Sequence, residues 1–432
     1  MSFNALIVAL LPTLACAQLS GAWRDPSPHR VQFVTVAEDV GLEVLDWGGS
    51  GRPIVLLAGS GNTAHVFDDF APKLLDTYHV YGITRRGYGE SSRPSSGYDD
   101  QRLADDLFAV IDSLQITAPV LVGHSMAGGE MTTLGNQHSD RLGGLVYLDA
   151  LGDPRDFPAV SPAYMELFRK LPASLREPPL ADNSSFRAYR ENQARHNQGV
   201  FPESELRQLF VENPDGSIGR YKASTGAIHN AIGAGQKKRD YSHIRVPVLA
   251  FLEIPRPGDS PGYQPKNEEE RAVIQGHADA IAAYVDRWIK NLKSGVPAAR
   301  VIDLAAGHDK PAGHFVFLTR EADVIRELRT FLSQAAADLS GTWEIEAEFD
   351  DPTLSGGGFD CVFKQTGDRL TGSCQEIPLS GEVKGTNVAW RIKAGQTQDI
   401  ITYTGAMNES GTFIKGRFSM TGKGGRFTAS KQ

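Results

Sequence analysis

At 432 residues, with 41% hydrophobic and 22% charged side chains, the chain is too long for one ordinary domain and has the composition of a folded, water-soluble protein. Its formal charge of −8, without any block of Lys or Arg, argues against nucleic acid or an anionic membrane surface as the main partner. Two domains and a small, neutral or mildly polar ligand are expected.

The first residues read as an address. Residues 5–17 form an apolar run of signal length ending in Ala15-Cys16-Ala17, an A-x-A cleavage pattern, so residues 1–17 are expected to be removed on export to a secreted or periplasmic location. A lipoprotein signal acylated at Cys16 is the competing reading, disfavoured by Thr13 where such a signal wants an aliphatic residue. No other stretch approaches the ~18 apolar residues that a membrane span needs.

From there, short β-branched runs at 31–36, 42–47, 53–57, 79–83, 120–123, 145–148, 246–252 and 300–304 alternate with helical segments. This predicts an α/β domain over residues 18–337, a mostly parallel sheet with helices on both faces. The run 120–129 reads as a buried strand that turns sharply, through a pattern of the G-x-S-x-G type, into a helix; such a turn lifts the Ser125 hydroxyl out of the fold as a candidate nucleophile. Residues 153–243 break the alternation. They are rich in Arg, Glu, Pro and aromatics, with helical stretches at 163–169, 186–196 and 203–211, and read as a helical lid over the carboxyl ends of the strands.

After Leu339 the period changes to two: Trp343, Ile345, Ala347 and Phe349 alternate with polar residues, and so do Val388, Trp390 and Ile392. About eight short strands fit in residues 338–432, which predicts a small antiparallel β-barrel; with its opening Leu339-Ser340-Gly341-Thr342-Trp343 it resembles a lipocalin-like barrel. A hairpin around Gly367-Asp368 sets Thr366 opposite Arg369 and, counting outward, Cys361 opposite Cys374. At a non-hydrogen-bonded pair the Cα atoms come within about 4.5 Å, so a cross-strand disulfide is expected, on one face with Phe359, Phe363 and Leu370.

The ordered set of Ala58-Gly59-Ser60-Gly61 after one apolar strand, Arg85-Arg86-Gly87-Tyr88-Gly89 with Ser91 after the next, the serine turn, and a late histidine loop resembles the α/β-hydrolase superfamily over residues 30–335. A serine hydroxyl is a poor nucleophile at neutral pH and needs a base oriented by an acid. The family's late-loop spacing, a base shortly before an acidic helix start at Glu321, implies His314 as that base, with His308 as the alternative. For the acid, the usual glycine and early aspartate after the 246–252 strand are missing; Asp149 at the tip of the preceding strand is favoured, similar to some haloalkane dehalogenases of the superfamily, with Asp259 and Glu253 as alternatives. The resemblance also implies an oxyanion hole from the backbone N–H groups of Ser60 and Met126.

Members with aspartate at the turn form alkyl esters on it; serine instead leaves acyl transfer to water through an acyl-serine. The expected function is a carboxylesterase-like serine hydrolase of a small-molecule acyl substrate. An amidase or peptidase of the same fold and a non-catalytic, hydrolase-like binding protein are the alternatives. Neither metal nor cofactor is expected, since the histidines are scattered and no cysteine cluster exists. His124 reads as packing at the turn, and Asn62, His65 and His138 as substrate contacts or, equally, surface or capping residues.

Overall fold

The structure, a computed structural model, describes residues 23–153, 161–177, 180–196, 199–222, 226–254, 263–308, 312–334, 339–366, 369–384, 387–393, 399–408 and 411–432. The export signal at 1–17 with Cys16, the alternative acid Asp259, the Gly367-Asp368 turn and the 337/338 domain junction lie outside the described residues.

In chain order the first part comprises β1 (Arg30–Ala37), β2 (Val40–Gly48), β3 (Pro53–Leu57), β4 (His79–Ile83), α1 (Asp100–Ser113), β5 (Val120–His124), α2 (Gly128–Gln137) and β6 (Gly144–Leu148). Then come α3 (Pro162–Lys170), α4 (Ala173–Arg176), α5 (Phe186–Arg195), α6 (Glu203–Leu209), β7 (Phe210–Glu212), β8 (Ile218–Tyr221) and α7 (Gly226–Gly235). The part closes with β9 (Val248–Leu252), α8 (Glu268–Gly295), β10 (Arg300–Asp303), α9 (Val316–Thr319) and α10 (Glu321–Gln334).

Eight of these strands form one sheet in the order β1-β2-β4-β3-β5-β6-β9-β10. β1 and β2 are antiparallel to their neighbours, and every pairing from β4 to β10 is parallel. β5, β6 and β9 are buried along their whole length, as strands covered by helices on both faces must be. That is why they read as unbroken apolar runs. From β3 the chain goes to β4 on one side and then crosses to β5 on the other, so the loops after β3 and β5 face each other at the switch point, where open α/β sheets bind ligands.

The segment read as a lid contributes helices, but also a ribbon. The helix expected to run to residue 211 stops at Leu209, because Phe210–Glu212 pairs with Ile218–Tyr221 across a turn that Asp215 and Gly216 shape, Gly216 at φ +83°. α8, at 28 residues the longest helix among the described residues, is the helical segment expected between the 246–252 and 300–304 runs; Asn267 caps it by accepting the Glu270 N–H (2.8 Å), and Ile274, Ala278, Val285 and Leu292 bury one stripe of it.

The second part is a closed antiparallel barrel of eight strands: β11 (Gly341–Phe349), β12 (Gly357–Thr366), β13 (Arg369–Cys374), β14 (Ile377–Lys384), β15 (Asn387–Lys393), β16 (Ile400–Met407), β17 (Phe413–Met420) and β18 (Lys423–Lys431). Its interior is filled by side chains, with Trp343, Phe363, Trp390 and Phe427 fully buried and Trp390 stacked on Tyr403 at 4.9 Å. The Trp343 indole N–H donates to the Leu339 carbonyl (2.7 Å), so the buried tryptophan closes the opening Leu-Ser-Gly-Thr-Trp run on itself. Cys361 faces Cys374 in register and the two form a disulfide, Cα atoms 4.0 Å apart, beside buried Phe363 and Leu370 and half-buried Phe359.

The bridge closes a loop of sequence separation 13. Replacing both cysteines by serine is therefore expected to cost the barrel on the order of 3 kcal/mol, read by urea unfolding with Trp343 and Trp390 as fluorescent reporters. An unchanged midpoint would show that the bridge contributes nothing.

Candidate active site

Ser125 begins the turn between β5 and α2 at φ +54°, a conformation that costs a non-glycine residue free energy and points its side chain off the strand end. The last glycine of the G-x-S-x-G pattern is Ala127 in this chain. The close approaches fall on its neighbours instead: a Cβ on Gly123 would lie 2.1 Å from Met131 Sδ, and one on Gly128 would lie 2.0 Å from the Ala150 carbonyl oxygen. Ala127 itself is fully buried and takes part in the core.

Asp149 follows β6 with φ +46°, and its Oδ2 lies 2.6 Å from His314 Nδ1. The other ring nitrogen, Nε2, lies 2.7 Å from Ser125 Oγ. A carboxylate only accepts, so Nδ1 carries the proton and donates to Asp149, leaving Nε2 to accept from the serine hydroxyl. His314 is 49% exposed, and Ser125 and Asp149 are half-buried.

The histidine loop is fixed through its backbone. His124, fully buried before the serine, donates Nε2–H to the His314 carbonyl (2.9 Å), so it is more than packing. Glu253, after β9, accepts the Gly313 N–H (2.6 Å). Glu253, the alternative acid, thus holds the loop that carries His314, and burial together with Asp149 nearby raises its carboxyl above the usual range. His308, the alternative base, pairs with Asp323 at 3.0 Å instead.

The loop after β3 lies against the serine turn, or elbow, since a Cβ on Gly59 would be 2.7 Å from His124 Nδ1 and 3.1 Å from Ser125 Cβ. Arg85, fully buried, forks onto Glu130 of α2 (2.8 and 2.9 Å) and donates to the Ala58 carbonyl (3.0 Å). With that carbonyl committed to Arg85, the loop's orientation is set by a buried pair that the sequence displays only as the Arg85-Arg86 run. Ser60 Oγ lies 2.5 Å from His229 Nδ1 of α7, and Tyr221 OH donates to the Gly61 carbonyl (3.1 Å), so the lid rests on this loop. Met126 packs with Tyr88, Tyr98 and Ile232 beneath α7.

Of the suggested substrate contacts, Asn62 donates to Glu205 of α6 (2.8 Å), and His138 stacks on Phe108. His65 joins Asp25, His29 and Asp68 in a compact group of metal-ligand type. Spacing along the chain does not announce that group, because its members come from two segments about forty residues apart.

The model of the alpha/beta hydrolase family matches residues 54–327. The AB hydrolase superfamily protein YisY of Bacillus subtilis (strain 168) is 27% identical over 288 residues, covering 64% of this chain and 91% of that protein. Epoxide hydrolase A of Mycobacterium tuberculosis is 29% identical over 197 residues, covering 43% of this chain and 61% of that protein, less than two thirds of its length. Among solved structures, E-2-(acetamidomethylene)succinate hydrolase superposes with a TM-score of 0.48 at 19% identity, covering 70% of this chain and 99% of that one.

The electrostatics of His124 have a measurable consequence. Burial, with His314 beside it, holds its pKa well below the ordinary 6.5, so the folded protein keeps it neutral, and Nδ1 meets no hydrogen-bonding partner among the described residues. Below about pH 6.5 the unfolded chain binds a proton there that the folded chain does not, so stability falls as pH falls. His124→Gln, which retains an N–H donor, is expected to lose less of its thermal midpoint between about pH 7 and 5 than the parent. Parallel profiles by differential scanning fluorimetry would refute this.

Proposed function

The chain belongs to the alpha/beta hydrolase family, and from that premise we propose that it is a serine hydrolase cleaving carboxylic esters of small molecules through an acyl-serine intermediate. The observation that carries the reading is the line of contacts from Asp149 through His314 to Ser125, at 2.6 and 2.7 Å.

Ser125 Oγ attacks the ester carbonyl carbon while His314 Nε2 takes its proton. Asp149 holds the ring in the required tautomer and stabilises the imidazolium that forms. Negative charge gathers on the carbonyl oxygen, facing the backbone N–H groups of Met126 and Ser60; the elbow geometry and the arginine-anchored loop support this assignment. As the tetrahedral intermediate collapses, the bond to the alcohol oxygen breaks and the imidazolium gives that oxygen its proton. Water, activated by the same nitrogen, then releases the acid from Ser125. Export after Ala17 is part of the proposal, supported by the Cys361–Cys374 bridge, since disulfides persist in oxidising compartments.

A series of p-nitrophenyl esters of increasing acyl length tests the reading. Ser125→Ala is expected to lose turnover roughly 10⁴-fold or more, and Asp149→Asn roughly 10³- to 10⁴-fold, with a fluorophosphonate label mapping to Ser125 in the parent protein. Near-parental activity in Asp149→Asn would refute the acid assignment. Absence of both turnover and labelling would favour a binding protein.

A further inference from the structure

Four side chains apart from the serine and its partners meet in a half-enclosed group. Asp25 and His29 come from the segment before β1, and His65 and Asp68 from the turn that follows the Ser60 loop. One donor atom from each lies within 4.8 Å of the others. His29 Nδ1 is 2.9 Å from Asp68 Oδ1, and His65 Nδ1 is 2.9 Å from Asp68 Oδ2. Asp25 Oδ2 stands 3.6 Å from His65 Nδ1 and 3.8 Å from His29 Nε2.

We propose that Asp25, His29, His65 and Asp68 form a binding site for a divalent transition-metal cation, zinc foremost. Around a tetrahedral zinc ion with bonds of about 2.0–2.1 Å, neighbouring donor atoms stand about 3.4 Å apart; His65 Nδ1 stands 2.9 Å from Asp68 Oδ2 and 3.6 Å from Asp25 Oδ2, either side of that value, while His29 faces Asp68 through Nδ1 and Asp25 through Nε2 and would ligate through one of the two. Two imidazoles and two carboxylates are a nitrogen–oxygen set that suits zinc, and two carboxylate charges with neutral rings balance a dication. The side chains of His29, His65 and Asp68 are 5%, 5% and 3% exposed, while that of Asp25 is 26% exposed, so the group is enclosed except on the Asp25 side, where an ion can enter.

The surroundings orient these donors. Asp68 accepts from Ser204 Oγ (2.6 Å) and from the Trp47 indole N–H (3.2 Å), which holds its carboxylate in place without using every lone pair. His65 presents Nδ1 to the group and turns Nε2 toward Gln208 Nε2 (3.4 Å) and, beyond hydrogen-bond reach, buried Glu43 (3.7 Å). Asp25 uses Oδ1 to accept the Ser27 N–H, leaving Oδ2 for the group. Such an ion is structural. It would join the segment before β1 to the turn following the Ser60 loop, and through Ser204 it would reach lid helix α6, whose Glu205 accepts from Asn62 and Thr63 of that turn.

A network of charged imidazoles and carboxylates without metal would use the same contacts, and a titration separates the two. The full-length protein is stripped with chelator, dialysed and titrated with zinc chloride by calorimetry, with thermal unfolding followed in parallel. One equivalent of zinc is expected to bind and raise the thermal midpoint. Asp25→Asn, at the open side and nearly isosteric, and His29→Gln are each expected to weaken that binding at least about tenfold; Asp25→Asn serves should His29→Gln fail to fold. Zinc that neither binds at one equivalent nor stabilises the parent, or that binds Asp25→Asn as tightly as the parent, would overturn the site.

Discussion

The arrangement depends on one backbone constraint: two adjacent parallel strands, β5 and β6, are each followed at once by a residue forced into the left-handed region, Ser125 at φ +54° and Asp149 at φ +46°. Each position costs of order 1–3 kcal/mol and survives only where the surroundings leave no alternative. Both strands are buried along their whole length, and each large apolar side chain so placed contributes roughly 1.5–3 kcal/mol. The sheet can therefore hold both turns, and their side chains converge on His314 from neighbouring strand ends.

The histidine comes from a loop, and a loop alone would not keep an imidazole between two groups 2.6 and 2.7 Å away. Here the sheet reaches into the loop. His124, from the end of β5, takes the His314 carbonyl, and Glu253, from the end of β9, takes the Gly313 N–H, so the backbone on both sides of the His314 Cα is held by neighbouring strands. Holding the peptide groups leaves both ring nitrogens free for Asp149 and Ser125. The neutral state of His124 matters here, since a second imidazolium 4.5 Å from the His314 ring would oppose the charge that develops there.

Much of this is legible in the sequence, for identifiable reasons. Buried parallel strands must be apolar, so their positions stand out, and a carboxylate at the tip of such a run, as at Asp149, is conspicuous. The same cue raises Glu253 beside Asp149, and only the fold separates their contacts, Asp149 with the His314 ring and Glu253 with the Gly313 N–H, because distance from an imidazole is not a property of spacing. The Arg85–Glu130 pair and the Asp25, His29, His65 and Asp68 group depend on crossovers that bring separate segments together. Local patterning carries no trace of them. The β7–β8 ribbon escapes for the opposite reason: its two strands of three and four residues are too short to show a period, and only the Asp215-Gly216 turn betrays it.

The disulfide sits in the smaller part of the chain, and size explains why it matters there. A unit of under a hundred residues buries roughly 60–70% of the surface its unfolded chain exposes, against about 75% for 300 residues, so the barrel has less apolar burial to oppose its chain entropy. Its seam, β11 against β18, joins the first and last strands and is the least local pairing in the unit. β11 pairs with β12 on its other side, and β12 is the strand that Cys361 ties to β13. Linking β12 to β13 keeps a two-stranded edge together in the unfolded chain, against which β11 can lay its alternating Trp343 and Ile345. The bridge shortens the roughly ninety-residue path between β11 and β18 only by its own small loop, which changes the entropy of closing the seam by on the order of 0.1 kcal/mol, so its stabilisation acts locally, on the β12–β13 pair.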